Sequence, residues 1–249
     1  MSNFADHFSS KARAYQHARP SYPAALFAHL ARACSSHRLA WDCACGSGQA
    51  SVGLLDYFEK IVATDGSAAQ IQAAIQHPKI EYHVATAQRS PLAAASVDVI
   101  VVAQALHWFA NDDFYNEVRR VASPQAVLAV WGYGRWLIHE TALNELFQQF
   151  YDEIIAAYWP TERAIVESGY RHLAVPFQEC EAPAMRMTAT WTLSQMFAYM
   201  NTWSACTRYH AAQGTDPLVD LYRRCEPLCI DPTARFEVVW PLATRWFRM

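Results

Sequence analysis

The stretch Leu39-Ala-Trp-Asp-Cys-Ala-Cys-Gly-Ser-Gly-Gln-Ala50 decides the fold. Its first three residues are apolar and predict a buried strand, a turn of small residues follows, and a helical pattern of apolar residues begins after Gly48. A strand that turns tightly into a helix leaves backbone N–H groups and the positive end of the helix dipole facing a cleft. Because glycine has no Cβ, Gly46 and Gly48 allow a ligand to approach the backbone closely. The stretch therefore predicts a ligand-binding turn between a strand and a helix.

Two kinds of cofactor site use such a turn, and the spacing of small residues separates them. A dinucleotide site requires G-x-G-x-x-G/A, and Ser51 stands where the third small residue is needed. An acidic residue just before the turn is instead the mark of an S-adenosylmethionine (SAM) site of the form D-x-G-x-G-x-G. The residues that match this form are Asp42, Cys45, Gly46, Ser47 and Gly48. The stretch thus resembles the class I SAM-dependent methyltransferases, and an ordinary glycine-containing turn is the alternative.

Ala44 is the departure from that pattern, because it holds the place of the first glycine. We expect its methyl group either to crowd the ligand or to force a different backbone angle.

A second apolar strand begins at Ile61 and ends in an acidic residue, Asp65, which lies 17 residues past Gly48. A carboxylate at a strand end can accept hydrogen bonds from both hydroxyls of a ribose. Ser67 is a plausible N-cap for the helix that follows. The strand-end acid makes the SAM assignment much more specific, and we expect further cofactor contacts from Gly66, Ser67 and Gln70.

The third and fourth strands are predicted at residues 80–85 and 96–103. In the methyltransferases that this chain resembles, an amide or acidic residue after the third strand often meets the adenine amino group, which implies roles for Ala87 and Gln88. A simple loop is the alternative. After the fourth strand, Gln104 and Ala105 are expected to contact the cofactor.

His107 and Trp108 follow at the carboxyl edge of the fourth strand, where open α/β sheets bind their ligands. His107 is a candidate catalytic residue, although a histidine at such a place can also be purely structural. Trp108 is expected to cover the adenine, to face the sulfonium as a cation–π partner, or to pack in the core.

Five strands alternate with helices over residues 23–134, which predicts a doubly wound parallel sheet. Residues 185–191 and about 239–248 are interpreted as sixth and seventh strands, the latter antiparallel, and residues 137–159 as one long amphipathic helix. The predicted fold class is α/β, a Rossmann-like sheet of six parallel strands and one antiparallel strand with a helical, aromatic substrate cap. We expect a single domain comprising an N-terminal arm (1–22), a SAM-binding core (23–134), the cap with the sixth strand (135–225) and a C-terminal strand region (226–249).

Three further segments are similar to a methyltransferase subgroup that includes trans-aconitate and related small-acid methyltransferases. They are the pattern Tyr15, Arg19-Pro20 and Tyr22-Pro23, the run 105–109, and, less specifically, residues 199–204. This resemblance implies that the N-terminal segment folds over the cleft with Tyr15 at the cofactor. It also implies a small carboxylic acid as acceptor. Surface packing is an equal alternative for Arg19.

Composition excludes several function classes. A net charge of -3 with no basic block gives no footprint for nucleic acid, and no apolar run is long enough to span a bilayer. The N-terminal residues lack the pattern of a signal peptide, so a cytoplasmic protein is expected. The seven cysteines are scattered without zinc spacing and predict reduced thiols rather than a metal site.

The predicted activity is methyl transfer from SAM to a small-molecule acceptor by in-line displacement (EC 2.1.1.-). A carboxylate acceptor is ionised at neutral pH and needs no base, so His107 would orient it. A phenol or alcohol needs a base, and His107 is the candidate. The residues expected to bind the acceptor are Arg19, Trp108, Arg135, Tyr199 and Trp203, with Arg208 as a further possible anchor. The alternatives are a SAM-fold module that binds or regulates without catalysis and, less favoured, an NAD-dependent oxidoreductase.

Overall fold

The computed structural model describes residues 20–229 and 231–249, so the predictions for Tyr15 and Arg19 lie outside the described residues. The strands of this part of the chain are β1 (Leu39–Cys43), β2 (Lys60–Asp65), β3 (Ile80–Val84), β4 (Val97–Ala103), β5 (Ala122–Tyr133), β6 (Leu137–Ile138), β7 (Gln178–Cys180), β8 (Met185–Thr192) and β9 (Arg235–Arg248). The α-helices are α1 (Ala24–Ala33), α2 (Gln49–Gly53), α3 (Ala68–Gln72), α4 (Asp112–Val121), α5 (Thr141–Gln149), α6 (Arg163–Glu167), α7 (Leu193–Met200), α8 (Ser204–Gln213) and α9 (Leu218–Cys225). None of these helices is long and apolar enough to cross a membrane.

The first five strands form a parallel sheet in the order β3-β2-β1-β4-β5. The interior strands carry apolar residues on both faces because helices cover both sides of a doubly wound sheet. The chain order reverses between β1 and β4, and ligands of open α/β sheets bind outside the carboxyl ends of the strands at such a point. The sheet therefore brings the ends of β1, β2 and β4 to one edge.

Strand β9 is antiparallel to all four strands that pair with it, namely β5, β6, β7 and β8. The described residues form nine strands, so the predicted count of seven is corrected by the two short strands β6 and β7. The reason is the length of β9, which has 14 residues. β5 pairs with residues 242–248 of β9, and β8 pairs with residues 235–242. The short strands β6 and β7 pair with residues 238–239 and 246–248 of β9, where backbone groups would otherwise lack a partner.

Residues 141–177 and 193–225, which we term the helical segment, pack on the β8–β9 ribbon through a cluster of aromatic rings. Trp240 of β9 and Trp191 of β8 lie 5.0 Å apart between ring centroids. Trp136 lies within 5.3 to 6.3 Å of the rings of Tyr199, Trp203, Trp240 and Trp191. Large buried rings with edge-to-face contacts contribute about 0.5–1.5 kcal/mol per pair beyond their burial. This cluster anchors the helical segment on the sheet.

The predicted long helix over residues 137–159 is wrong as one element. Its first two residues pair with β9 as strand β6. Helix α5 then continues as a turn of π-helix at Phe150–Ile154, where the N–H of Ile155 donates to the carbonyl of Phe150 at 3.1 Å. A 3-10 turn at Ala156–Tyr158 follows, and Pro160 cannot continue a helix. These turns redirect the chain toward the edge of the sheet at which β1 and β2 end.

Candidate functional site

A cavity of about 1120 Å³ lies at the carboxyl ends of β1, β2 and β4. Ligand cavities usually measure roughly 300–1,000 Å³, so there is room for a cofactor and an acceptor together. The predicted site residues that line it are Ala44, Cys45, Gly46, Asp65, Gly66, Ser67, Gln70, Ala87, Gln88, Gln104, Ala105, His107, Trp108, Tyr199 and Trp203. Arg208 of helix α8 also lines it.

The carboxylate of Asp65 holds the turn after β1 in place. One oxygen accepts a hydrogen bond from the Gly46 N–H at 2.9 Å, and the other accepts from the Ser67 N–H at 2.8 Å. Burial raises the pKa of Asp65, while these two N–H groups act in the opposite direction. Ser67 also caps helix α3, as predicted, by accepting from the Gln70 N–H. Since a carboxylate oxygen has two lone pairs, Asp65 retains capacity to accept ligand hydroxyls.

Ala44 lies in the left-handed region of backbone conformation, which glycine adopts readily. Its φ is 57°, in the left-handed region, and the φ of Gly46 is 55°. An alanine in this region costs roughly 1–2 kcal/mol. The turn therefore carries local strain at Ala44.

We expect Ala44→Gly to stabilise the protein by about 0.5–1 kcal/mol, because relief of strain exceeds the added entropy of glycine in the unfolded chain. Ala105→Gly is the matched control, since Ala105 lines the same cavity with a φ of -133°. This control should lose about 0.5–1 kcal/mol. Urea denaturation of both variants measures the sign of each change in the free energy of unfolding. An Ala44→Gly protein that is less stable than the wild type would contradict the assignment of strain to Ala44.

Two residues of the predicted motif do not line the cavity. Asp42 is fully buried beneath the turn, where its Oδ2 accepts a hydrogen bond from the Ser51 hydroxyl at 2.5 Å, and burial raises its pKa to about 7. Gly48 makes room for a side chain rather than for a ligand, since an added Cβ would lie 2.3 Å from the Tyr82 hydroxyl. We correct both expectations of direct cofactor contact, because these residues shape the turn from behind.

The backbone at the end of β4 is also strained. Gln104 has a φ of 59°, and its side-chain amide donates to the Tyr133 carbonyl at 3.0 Å. Its N–H donates to the Trp131 carbonyl at 2.8 Å. Unusual backbone angles persist where surrounding bonds fix them, and they occur often at binding sites. These bonds hold residues 103–105 against the cavity next to Ala87 and Gln88.

His107 lies at the cavity wall with its ring between those of Trp108 and Tyr170, at centroid distances of 4.6 and 6.2 Å. Its Nδ1 is buried and has no hydrogen-bond partner among the described residues. Burial and, to a lesser extent, the nearby Arg163 lower the pKa of His107 to about 4, while Glu162 acts in the opposite direction. The imidazole is therefore neutral at physiological pH, with one nitrogen able to donate a hydrogen bond and the other able to accept one.

Comparison with known proteins shows the family to which this chain belongs. Residues 41–130 match the model of a methyltransferase domain. A solved structure from Anaeromyxobacter dehalogenans, provisionally named a type II methyltransferase, is 42% identical, with a TM-score of 0.87 over 92% of this chain and 97% of that one. A protein of Dictyostelium discoideum, provisionally named a methyltransferase, is 30% identical over 88% of this chain and 84% of its own length. This chain belongs to the class I SAM-dependent methyltransferases. A yeast protein named as a probable SAM-dependent methyltransferase is 27% identical over 48% of this chain and 44% of its own length.

The site of this methyltransferase fits the cofactor that its family implies. A strand-end carboxylate with lone pairs to spare, a turn in the left-handed conformation and small residues along the cavity wall are the features that a ribose and an adenine require. Among residues 20–229 and 231–249, no cluster of metal-ligating side chains is present.

One predicted acceptor residue of the methyltransferase lies elsewhere. Arg135 is outside the cavity lining, and its guanidinium pairs with Asp152 at 2.6 Å at the surface. Sequence reasoning missed several lining residues, and the break at Trp159-Pro160 was an available signal only for those next to it, namely Trp159, Glu162 and Arg163. The missed residues are Tyr22, Tyr133, Trp159, Glu162, Arg163, Thr202 and Thr207.

Proposed function

We propose that this methyltransferase transfers the methyl group of SAM to a carboxylate oxygen of a small acid bound in the same cavity. One observation carries the proposal. A single cavity joins the strand-end carboxylate of Asp65 to an aromatic compartment formed by the helical segment, in which Trp159, Tyr199 and Trp203 are lining residues. A cofactor and an acceptor in one enclosed space gain proximity and alignment, which account for much of the rate of a bimolecular reaction.

SAM, when bound, supplies an electrophilic methyl group on a sulfonium, which is a strong leaving group. The chain must therefore bind, orient and exclude water. In this proposal Asp65 accepts the ribose hydroxyls, Ala87 and Gln88 meet the adenine, and the residues after β4 complete the wall.

The helical segment acts as the cap in this proposal. Its tryptophans and tyrosines cover the cavity with apolar rings whose polar ends can still donate hydrogen bonds. Nε1 of Trp159 is buried and has no partner among the described residues, which leaves one unsatisfied donor in the ring that covers the cavity. Exclusion of water strengthens polar contacts to the acceptor and prevents side reactions.

Calorimetric titration with S-adenosylhomocysteine (SAH), SAM and NADH tests the cofactor. We expect SAM and SAH to bind at micromolar concentrations and NADH not to bind. A mass-spectrometric screen of small acids, phenols and amines then follows transfer of the methyl group. NADH binding without SAH binding would overturn the proposal, as would methylation restricted to phenols or amines.

His107→Ala tests the role of the histidine. Because burial keeps the pKa of His107 near 4, the imidazole stays neutral as the pH falls through 6.5, the ordinary value for histidine. With a carboxylate acceptor, we expect kcat/KM to fall by about tenfold or less, with no inflection between about pH 6 and 9 in either protein. His139→Ala is the control, since that side chain is exposed at the surface.

A general-base role predicts a different result for the same pair of variants. The wild-type kcat/KM would then fall as His107 becomes protonated near its pKa of about 4, and His107→Ala would lose both this inflection and about 100-fold or more of its rate. Steady-state kinetics extended from about pH 9 down to about pH 3.5 distinguish the two roles.

A further inference from the structure

Arg163 is the first residue of helix α6, directly after the turns that replace the predicted long helix. Its Nε donates to the Tyr151 hydroxyl at 3.0 Å and to the Glu167 carboxylate at 3.2 Å. Its guanidinium carbon lies 4.6 Å from the centroid of the Trp159 ring. These contacts hold the guanidinium plane at the cavity wall, and the side chain is only 22% exposed.

The two terminal nitrogens of Arg163 make no hydrogen bond within residues 20–229 and 231–249. A half-buried guanidinium normally satisfies its five donors, because an unpaired charged donor away from water is costly. The Nε of Arg163 already donates to Tyr151 and Glu167, so the two terminal nitrogens are the donors that remain for a ligand. A planar fork of two N–H groups matches the two oxygens of a carboxylate.

The surrounding charges favour an anion that carries one negative charge. Glu162 lines the same cavity and Glu167 pairs with Arg163, so acidic groups stand beside the cationic one. A phosphate dianion would be repelled by both carboxylates about twice as strongly as a carboxylate monoanion, and it would need a second positive partner. The apolar rings nearby also favour the less strongly hydrated carboxylate.

Arg135 offers a matched comparison on the same aromatic ring. Its guanidinium carbon lies 4.4 Å above the ring of Tyr151, and that of Arg163 lies 5.9 Å from it. Arg135, however, pairs with Asp152 and does not line the cavity. The two arginines thus share a packing partner and differ in their access to a ligand.

We propose that Arg163 determines acceptor specificity by binding a carboxylate group of the acceptor through its outer nitrogens, over the face of Trp159. This inference rests on the proposed function and names the residue that recognises the acceptor. The anchored carboxylate places the rest of the acceptor among Trp159, Tyr199 and Trp203, toward His107.

Calorimetry with benzoate and acetate as probes, on the wild-type protein loaded with SAH and free of it, tests the proposal. Benzamide and acetamide are the uncharged probes of matched shape, and inorganic phosphate is the dianionic one. We expect the carboxylates to bind, and the amides and phosphate to bind at least about tenfold more weakly. Arg163→Gln should weaken carboxylate binding by about 20-fold and leave amide binding unchanged, and Arg163→Lys should fall between. Arg135→Gln should change carboxylate binding by less than about threefold.

Equal weakening of acid and amide binding in Arg163→Gln would overturn the proposal, as would wild-type binding of phosphate in preference to the acids. Equal effects of Arg135→Gln and Arg163→Gln would also overturn it. Circular dichroism and thermal unfolding of each variant establish that it is folded. SAH titration is a separate arm: carboxylate binding that requires Arg163 without any SAH binding would reject the proposed function and support the arginine.

Discussion

Asp65→Ala is expected to abolish measurable SAH binding, with a loss of about 100-fold or more. The variant removes the proposed acceptor for the ribose hydroxyls and also releases the N–H groups of Gly46 and Ser67, which donate to Asp65 at 2.9 and 2.8 Å. Hydrogen bonds to charged groups contribute about 1.5–3 kcal/mol each, so two of them account for such a loss. Isothermal titration calorimetry measures the affinity directly.

Asp65→Asn is the control for shape, because it keeps one acceptor oxygen and loses the charge. We expect it to bind SAH roughly tenfold more weakly than the wild type. A folded Asp65→Ala protein that binds SAH within threefold of the wild type would contradict the assigned role of this carboxylate.

Gly53→Ala is expected to destabilise the protein by about 3 kcal/mol. An added Cβ at Gly53 would lie 2.1 Å from two ring carbons of Phe27, which is 3% exposed and belongs to the core. A rigid ring in a close-packed interior cannot move aside without disturbing its own neighbours. Urea denaturation with the same slope in both proteins measures the change in the free energy of unfolding.

Gly66→Ala is the matched control, since an added Cβ at Gly66 meets no atom within 4 Å. Its stability should lie within about 0.5 kcal/mol of the wild type. Phe27→Leu combined with Gly53→Ala should recover part of the loss, because the smaller side chain leaves space for the new methyl group. Additive effects of the two substitutions would indicate that Gly53 acts through something other than the ring of Phe27.

The parallel half of the fold could be predicted from the sequence because its signals are local. Apolar runs end at Asp65 and before Gln104, and the structure places both at the cavity. The cap at Ser67 likewise depends on neighbouring residues alone. Asp42 could not be placed so well, because the same pattern suits a side chain facing the ligand or one buried beneath the turn. The hydrogen bond from the Ser51 hydroxyl to Asp42 holds this carboxylate beneath the turn.

The second half of the site depends on contacts between residues distant in sequence. The sequence analysis named Arg19, Arg135 and Arg208 as candidate anchors and not Arg163, because no local pattern identifies which arginines reach the cavity. Arg163 lies at the cavity after the chain changes direction, and that change begins with the π-helix turn at Phe150–Ile154. Arg135 lies outside the cavity lining, where its guanidinium pairs with Asp152. The apolar periodicity of residues 137–159 predicts a continuous helix. This local pattern contains no information on the pairing of residues 137–138 with the distant strand β9.

The position of β9 inside the sheet has a consequence for the protein during its synthesis. Val127 of β5 pairs with Arg248, which emerges from the ribosome well over a hundred residues later. At roughly 5–20 residues per second, the edge of β5 stays without its partner for on the order of ten seconds. That strand is almost entirely apolar from Ala126 to Trp131, so it is a ready template for association with other nascent chains. Chaperone supply and translation speed are therefore expected to govern the yield of folded protein in cells.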